Sequence, residues 1–442
     1  MIVVNYAAIH IRETIVNLEA PLDGRDHPVQ GSPAADAIAY SRVDENTLRG
    51  AGKKNGAISL TETVTAQPNK GHSHSELFHP RRRERNRHRY SRLRAPAILK
   101  SMFPNFYGNA AAAGTLEQLA ASGRIPQTIL LAGPEGVGKA TLARRFAAAL
   151  LGDAAKIEQD DLSLEPNQAI VADREKWPAN ERNDDPLLFA THPDFVTFAP
   201  DGPMRQISIP QMRLVKEVAR FKPLHGARRV FLIDHIDRAN EQAANSLLKT
   251  LEEPPDHLII IMTAQNPYDL LPTIRSRAVI LALTPLSNED MLAFLKTHGV
   301  NNEARRLGLA GGSPGLAVSI DLEAYDQRRT AMFSLLQVAA RQSPFGVWAR
   351  HSETLGARKT EKLDLLLGVL YLLLEDMLLL SNGVREIRNT DMLRELESLA
   401  TTVTFGWLRN AVRRVDELAE LVRRNIQKSL ALDALAIELR RV

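Results

Sequence analysis

A glycine-rich loop between an apolar strand pattern and a helix pattern constrains this chain more than any other feature. The apolar run Thr128–Ala132 (TILLA) predicts a buried strand, and it leads into Gly133–Lys139 (GPEGVGK). An Ala- and Leu-rich helix pattern then continues through Leu151. This order predicts a P-loop, in which backbone N–H groups surround phosphate oxygens and Lys139 reaches the terminal phosphates. The glycines that would shape the loop are Gly133, Gly136 and Gly138.

Strand and helix patterns alternate after this loop. Apolar strands are predicted at Phe195–Phe198, Arg229–Asp234, His257–Thr263 and Ala278–Leu283. Helices are predicted at Pro210–Phe221 and Asn240–Glu252, and the second ends before Pro254 because proline cannot donate within a helix. Apolar strands that alternate with helices predict an α/β fold whose parallel sheet is covered on both faces. The polar, acidic stretch 152–193 is predicted to be a long insertion.

The strand patterns stop after Pro285. Helices are predicted at Ser287–His298 and Glu303–Ala310, and residues 325–442 are helical in pattern and rich in Leu, Arg and Glu. The run 365–374 (LLLGVLYLLL) is apolar, but a membrane-spanning helix needs about twenty such residues. We therefore predict a buried helix of a bundle there, and no membrane partner.

The first 101 residues differ from the rest in charge. They hold 16 Lys and Arg against 10 Asp and Glu, whereas the remainder holds 40 against 42. The run Arg81–Arg94 contains eight Arg and one Glu, and charge of one sign at that density predicts a disordered arm. We favour a leader segment, or sequence upstream of a misassigned start. The alternatives are a nucleic-acid-binding arm and a localisation signal.

Composition narrows the function classes further. The chain has no cysteine, which excludes disulfides, cysteine zinc ribbons, iron–sulfur clusters and thiol nucleophiles. The opening run MIVVNYAAIHIRETIV is too short and too interrupted for a secretory signal. We expect a cytoplasmic protein.

The residues around the P-loop lack parts of the usual hydrolytic machinery. A hydroxyl directly after the lysine normally holds Mg²⁺, but this chain has Ala140, and Thr141 lies about 100° further round the helix. Asp234 ends an apolar strand, where a Walker B aspartate belongs, and His235 stands where many ATPases have a glutamate base. A lone histidine there is more often structural than catalytic. The pattern predicts a phosphate-binding fold that binds ATP weakly or not at all, with no metal site.

Two further motifs make the chain recognisable. Ala244–Pro255 (ANSLLKTLEEPP) and Leu271–Arg277 (LPTIRSR), taken with the P-loop, resemble the clamp-loader branch of the AAA+ proteins. The best match is the delta-prime subunits of bacterial DNA polymerase III. The segments Met102–Asn109 and His192–Asp194 fit them too, and the resemblance spans about residues 102–320.

The resemblance implies an architecture and a set of partners. It implies a RecA-like core over 102–285, a helical lid over 286–325 and a helical collar over 326–442, after the extension 1–101. The collar would hold a five-membered ring that opens a sliding clamp and places it on primed DNA. Gamma/tau-like ATPase subunits and a delta-like subunit are the implied partners. DNA-directed DNA polymerase activity would belong to the holoenzyme.

The same resemblance assigns a role to Ser276 and Arg277, which match the Ser-Arg of a family motif whose arginine enters the neighbouring subunit's ATP site. The next position is Ala278 where the family has cysteine, and Gly315 replaces the sensor arginine of hydrolysing relatives. Many delta-prime chains carry a four-cysteine zinc module in the insertion. Here that stretch has no cysteine, and His192 alone cannot hold zinc.

Three gaps in separate motifs therefore predict a subunit without ATPase activity that still serves its neighbour's site through Arg277. The first alternative is an ATP-hydrolysing AAA+ clamp-loader subunit, in which Thr141 and Asp237 substitute for the missing groups. The second is a nucleic-acid-binding protein led by the basic arm.

Overall fold

The structure, a computed structural model, describes residues 102–357, 361–421 and 426–441. The predicted basic arm, with its arginine run, lies outside the described residues. The first part of the chain alternates strands and helices in the order α1 Ala110–Ser122, β1 Thr128–Ala132, α2 Lys139–Leu151, α3 Ala154–Glu158, α4 Glu165–Arg174, α5 Ala179–Asp184, β2 Leu188–Phe189, β3 Phe195–Phe198, α6 Ile209–Val218, β4 Arg229–Ile233, α7 Glu241–Glu252, β5 Leu258–Ala264, α8 Pro272–Arg275 and β6 Val279–Ala282.

The rest of the described chain is helical, as the sequence predicts. Its helices are α9 Asn288–Thr297, α10 Glu303–Ala310, α11 Pro314–Ser319, α12 Leu322–Ala339, α13 Phe345–Ala357, α14 Leu363–Ser381, α15 Leu393–Ala400, α16 Phe405–Leu421 and α17 Lys428–Arg441. Helix α14 contains the apolar run and is buried on all sides in the bundle core. No helix among the described residues is long and apolar enough to cross a bilayer.

The six strands form one sheet in the order β2-β3-β4-β5-β1-β6. Every neighbouring pair is parallel except β2 and β3, which are antiparallel. This confirms the predicted α/β fold with a P-loop core, followed by helical segments. The insertion 152–193, predicted only as polar sequence, folds into α3, α4, α5 and the edge strand β2, whose two residues are too few to give a period-two pattern.

Side chains of the central strands point alternately to the two faces of the sheet. On β1, Ile129 and Leu131 join one apolar cluster, which includes Phe146 of α2, whereas Leu130 joins the other cluster. Strand β6 departs from the prediction of a sheet covered on both faces, because it lies at the sheet edge and its Val279 and Ile280 are each 42% exposed.

Local chemistry fixes the helix ends near the site. Helix α6 begins at a capping box, in which the Ser208 hydroxyl and the Gln211 side chain each accept the other residue's backbone N–H. It ends at Val218 rather than at the predicted Phe221, and the N–H of Ala219 closes its last turn on the carbonyl oxygens of Val215 and Glu217. Helix α7 begins after Asn240, whose side chain accepts the N–H of Ala243.

Candidate functional site

The P-loop leaves the carboxyl end of β1, and close packing requires its glycines. At Gly133 a Cβ atom would lie 2.1 Å from the carbonyl oxygen of Leu283. At Gly136 the backbone has φ +72°, and a Cβ would lie 2.3 Å from the hydroxyl of Ser313. Gly138 has φ +101° and caps α2. The three glycines predicted from the sequence therefore do shape this loop.

Lys139 lies inside the loop that it follows. Its side chain is 5% exposed, and Nζ donates to the carbonyl oxygens of Gly133 and Pro134, both at 2.7 Å. Burial lowers the pKa of Lys139, and the nearby carboxylate of Asp234 opposes that shift. The ammonium group thus joins the two ends of its own loop.

Asp234 follows β4 and is buried beside Lys139, as predicted from its place at the end of an apolar strand. Its Oδ1 accepts a hydrogen bond of 2.5 Å from the hydroxyl of Thr263 at the end of β5. Burial acts to raise the pKa of Asp234, but the opposing effects of His235, the Thr263 hydrogen bond and Lys139 bring it below its usual value. Thr263 was not predicted as part of the site, although a threonine that ends an apolar strand pattern was the available signal.

His235 adopts left-handed backbone with φ +54° directly after Asp234. Its N–H donates to the Thr263 hydroxyl at 2.8 Å, and its Nε2 lies 3.9 Å from the Asp234 carboxylate. The buried Nδ1 has no hydrogen-bond partner in the described part of the chain. Among the described residues, the Asp234 carboxylate is near but beyond hydrogen-bond distance, and no acceptor holds Nδ1 as a general base requires.

Of the residues considered as substitutes, Asp237 lies near enough to Lys139 for its charge to act against the lowering of that lysine's pKa. Asp237 accepts the N–H of Gln265 at 3.2 Å through Oδ2, so this carboxylate is tied to the turn after β5. His192 is buried, and its Nδ1 accepts the N–H of Asp194. Within the described ranges, no group of three or more His, Cys, Asp or Glu side chains is arranged to hold a metal ion.

The segment that begins α11 packs directly on the P-loop. The N–H of Gly315 donates to the carbonyl oxygen of Gly136 at 2.9 Å, and the Ser313 hydroxyl donates to the carbonyl oxygen of Glu135 at 2.9 Å. A Cβ at position 315 would lie 3.0 Å from the Cα and the carbonyl oxygen of Gly136. Gly315 therefore differs from a sensor arginine in two ways. It has no side chain, and its backbone N–H is hydrogen-bonded to the P-loop.

Ser276 and Arg277 lie at the opposite end of the sheet. Arg277 stands two residues before β6, and β6 runs parallel to β1, whose far end carries the P-loop. A strand of four residues separates the two ends by about 13 Å at 3.3 Å per residue. The structure brings Arg277 and Ser276 together, and it separates both from Lys139 and Asp234.

Three acceptors surround the Arg277 guanidinium. Its NH2 donates to Oε1 of Glu252 at 2.7 Å, and its NH1 donates to the carbonyl oxygen of Thr273 at 2.7 Å and to the Ser276 hydroxyl at 3.4 Å. The side chain keeps 32% of its surface exposed. It borders a shallow cavity of about 350 Å³ that Gln127, Leu251 and Val279 also line. A cation in this position is reachable from outside the chain.

Residues 181–287 match the family model described as "DNA polymerase III, delta subunit". The chain is 32% identical to the DNA polymerase III subunit delta' of Pseudomonas aeruginosa over 45% of its own length and 56% of that protein. For subunit delta' of Escherichia coli K12 the identity is 30%, over 46% of this chain and 60% of that one.

The resemblance to delta-prime subunits is thereby confirmed. The chain spans a little over half the length of these two relatives. Gamma subunits of DNA polymerase III also match, for example that of Buchnera aphidicola from Acyrthosiphon pisum, at 28% identity over 39% of this chain and 43% of that protein. A gamma subunit-related protein from Thermotoga maritima superimposes at a TM-score of 0.37 with 19% identity, over 74% of this chain and 98% of that one.

Proposed function

We propose that this chain is a non-hydrolysing, delta-prime-like subunit of the replicative clamp loader of DNA polymerase III. It scaffolds the ring, and it donates Arg277 to the ATPase site of a neighbouring subunit, so that a sliding clamp is loaded on primed DNA. The observation that carries the proposal is the separation of the two candidate sites. The chain's own P-loop and Arg277 lie at opposite ends of one sheet, which keeps Arg277 away from its own P-loop and supports a role in a site outside this chain.

The proposed lack of hydrolysis rests on several independent features of the P-loop end. Ala140 offers no hydroxyl for Mg²⁺, and His235 is held beside Asp234 without an orienting partner in the described residues. Gly315 supplies no cation, and its N–H is already bonded to the loop. Each step of hydrolysis that these positions normally assist is therefore unsupported.

Residual binding of ATP would use the loop N–H groups and the ammonium of Lys139, with Asp234 beside them. The residues are Gly133, Gly136, Gly138, Lys139 and Asp234. Binding must compete with the hydrogen bonds that Lys139 makes to Gly133 and Pro134. We therefore propose that any nucleotide binds weakly and is not consumed, and that the chain carries no zinc.

The proposed role of Arg277 follows from the chemistry of its guanidinium group. A planar cation with several N–H donors matches the oxygens of a transferring phosphoryl group and stabilises the charge that develops there. Because it is supplied by a different chain, hydrolysis would depend on correct assembly of the ring. Ser276 accepts from Arg277 and helps to fix its side chain.

The proposed partners are gamma/tau-like ATPase subunits and a delta-like subunit, in the cytoplasm. The helical segment 326–442 would join the ring. The sliding clamp and the primer–template DNA would be contacted through the complete complex, and polymerase activity would belong to the holoenzyme.

The test is reconstitution of the full chain with gamma/tau-like and delta-like subunits, a clamp and primed DNA. Arg277→Ala should remove at least the part of the complex's ATPase activity that comes from the one site bordering this chain. Size-exclusion chromatography should still show a complete complex. Activity equal to that of the wild type would reject the arginine-finger role.

The second candidate is an ATP-hydrolysing clamp-loader subunit. The matches to gamma subunits favour it, as do the retained Lys139 and Asp234. The isolated chain decides between the two proposals. Turnover of ATP, together with tight binding that requires Mg²⁺, would establish the second candidate, whereas we expect neither.

A further inference from the structure

Arg277 forms an ion pair with Glu252 of its own chain. Glu252 is the last residue of α7, and Arg277 lies in the turn between α8 and β6. Their side chains meet with an NH2 to Oε1 distance of 2.7 Å. Both remain partly exposed, Glu252 at 48% and Arg277 at 32%, so the pair forms at the surface.

A surface ion pair of this kind contributes little to stability, because solvent screens the charges and both long side chains lose rotamer freedom. Its main effect here is therefore on orientation. Glu252 holds one end of the guanidinium group through NH2, and Thr273 and Ser276 hold the adjacent nitrogen, NH1. The plane of the group is thus fixed from two directions.

This arrangement leaves donors available. A guanidinium group has five N–H donors, and the hydrogen bonds found in the described part of the chain use NH1 and NH2 but not Nε. Arg277 can therefore donate to a phosphate oxygen while it remains bonded to Glu252. An arginine without this partner would have to lose more rotamer freedom each time a neighbour docked.

We propose that Glu252 is a positioning residue that orients Arg277 before and during its action in the neighbouring ATPase site. The inference rests on the proposed function, since it concerns the same arginine. It goes further by stating that the acidic residue at the end of α7 sets how well the finger works.

The chain offers a matched control for this proposal. Glu253 follows directly, has the same charge and is also exposed, but the described contacts of Arg277 do not include it. A general effect of negative charge near the neighbour's site would appear for both glutamates. An effect of positioning would appear for Glu252 only.

The experiment uses the complex reconstituted from the full chain, with ATP hydrolysis measured over a range of ATP concentrations. Glu252→Ala should lower the part of kcat that comes from the site bordering this chain by about tenfold, which is less than the ~100-fold that a misplacement of 1 Å can cost. KM for ATP should stay unchanged, because the finger acts in the transition state. Glu252→Gln should restore part of kcat, since its amide oxygen still accepts an N–H. Glu253→Ala should match the wild type.

A double variant separates positioning from other causes. In the Arg277→Ala background, Glu252→Ala should have no further effect, since the residue acts through the arginine. A persistent effect in that background, an unchanged kcat for Glu252→Ala, or a raised kcat would each overturn the inference. If Arg277→Ala itself left kcat unchanged, the proposed function would fail and this inference with it. A lowered kcat for Arg277→Ala with a normal Glu252→Ala would remove the inference alone.

Discussion

The two ends of the parallel sheet hold cations in opposite surroundings. At the carboxyl end, Lys139 is 5% exposed and its donors are used by carbonyl groups of its own loop. At the amino end, Arg277 keeps 32% of its side chain exposed beside an open cavity. A charged group acts on another molecule only if that molecule can reach it. The difference in exposure therefore predicts that Arg277, and not Lys139, is the cation that acts on another molecule.

The contrast extends to what packs around each cation. At the P-loop, the segment of Ser313 and Gly315 lies in hydrogen-bond contact with the loop backbone. At the other end, Glu252 approaches Arg277 from one side and leaves the cavity beside it open. One end is closed by its own chain, and the other is ordered but accessible.

The largest expected effect is on the accessible end, from Arg277→Lys. Lysine keeps the positive charge but loses the planar fork, so it cannot replace an arginine that contacts a phosphoryl group through several N–H donors. An arginine finger raises the rate of its site by roughly a thousandfold or more. We expect the reconstituted complex to lose nearly as much ATPase activity with lysine as with alanine.

The same assay with Lys139→Met is the control for this comparison. The P-loop end is proposed to be silent, so the complex should keep its ATPase activity. Full activity of Arg277→Lys would mean that charge alone is needed at the amino end. Loss of activity with Lys139→Met alone would reverse the assignment of the two ends.

The sequence was sufficient for the parts of the site that depend on local pattern. The bounds of the strand Thr128–Ala132 and the position of the P-loop after it were predicted, because a glycine motif between a strand and a helix is typical of a P-loop. Motif spacing also placed Asp234 at the end of its strand. Ser276 and Arg277 were singled out by resemblance, and their role stays a prediction.

The parts that were missed depend on contacts between distant segments. The hydrogen bond from Thr263 to Asp234 requires that β4 and β5 be neighbours, which no local pattern states. The contact of Gly315 with Gly136 joins residues far apart in sequence, and Gly315 had been considered only for the side chain it lacks. The exposure of Val279 follows from the position of β6 at the sheet edge, although its sequence is as apolar as that of a central strand.

The next effect concerns stability at the closed end, through Gly315→Arg. A Cβ there would lie 3.0 Å from the Cα and carbonyl oxygen of Gly136, and backbone atoms cannot move aside as a flexible side chain can. We expect a loss of roughly 1–3 kcal/mol in the free energy of unfolding, typical of overpacked sites, in urea titrations of the full chain.

Gly114→Arg is the matched control, because a Cβ at this position in α1 meets nothing within 4 Å and arginine is a better helix former than glycine. It should be as stable as the wild type or slightly more so. A Gly315→Arg variant of wild-type stability would show that the segment leaves the loop easily, and that the P-loop end is not closed by its own chain.

A smaller effect is expected in the pH dependence of stability. Burial lowers the pKa of Lys139 below its usual 10.5. Between the lowered pKa and 10.5 the unfolded chain binds a proton that the native chain does not, so this group makes stability rise with pH through that window. Relative to Lys139→Met, the wild type should gain stability as pH approaches 10.5.

Denaturant titrations at several alkaline pH values would measure this difference, with Lys296→Met as the control for removal of an ammonium group from the surface of α9. A difference between wild type and Lys139→Met that stays constant with pH would mean that burial does not lower the pKa of Lys139 in solution. The comparison of the two ends would then rest on the exposure and the hydrogen bonds of the two cations alone.

The smallest effect is expected from restoring one missing group, with Ala140→Thr. The threonine supplies the hydroxyl that holds Mg²⁺ in hydrolysing relatives, but His235 still lacks an orienting partner among the described residues and Gly315 still supplies no cation. The isolated variant should therefore hydrolyse no more ATP than the wild type, measured as phosphate release with and without Mg²⁺. Turnover above the wild-type level would show that the hydroxyl missing at position 140 is the one group that the P-loop needs for ATP hydrolysis. In that case the contact of Gly315 with the loop could not be what keeps ATP from being hydrolysed, because that contact is unchanged in the variant.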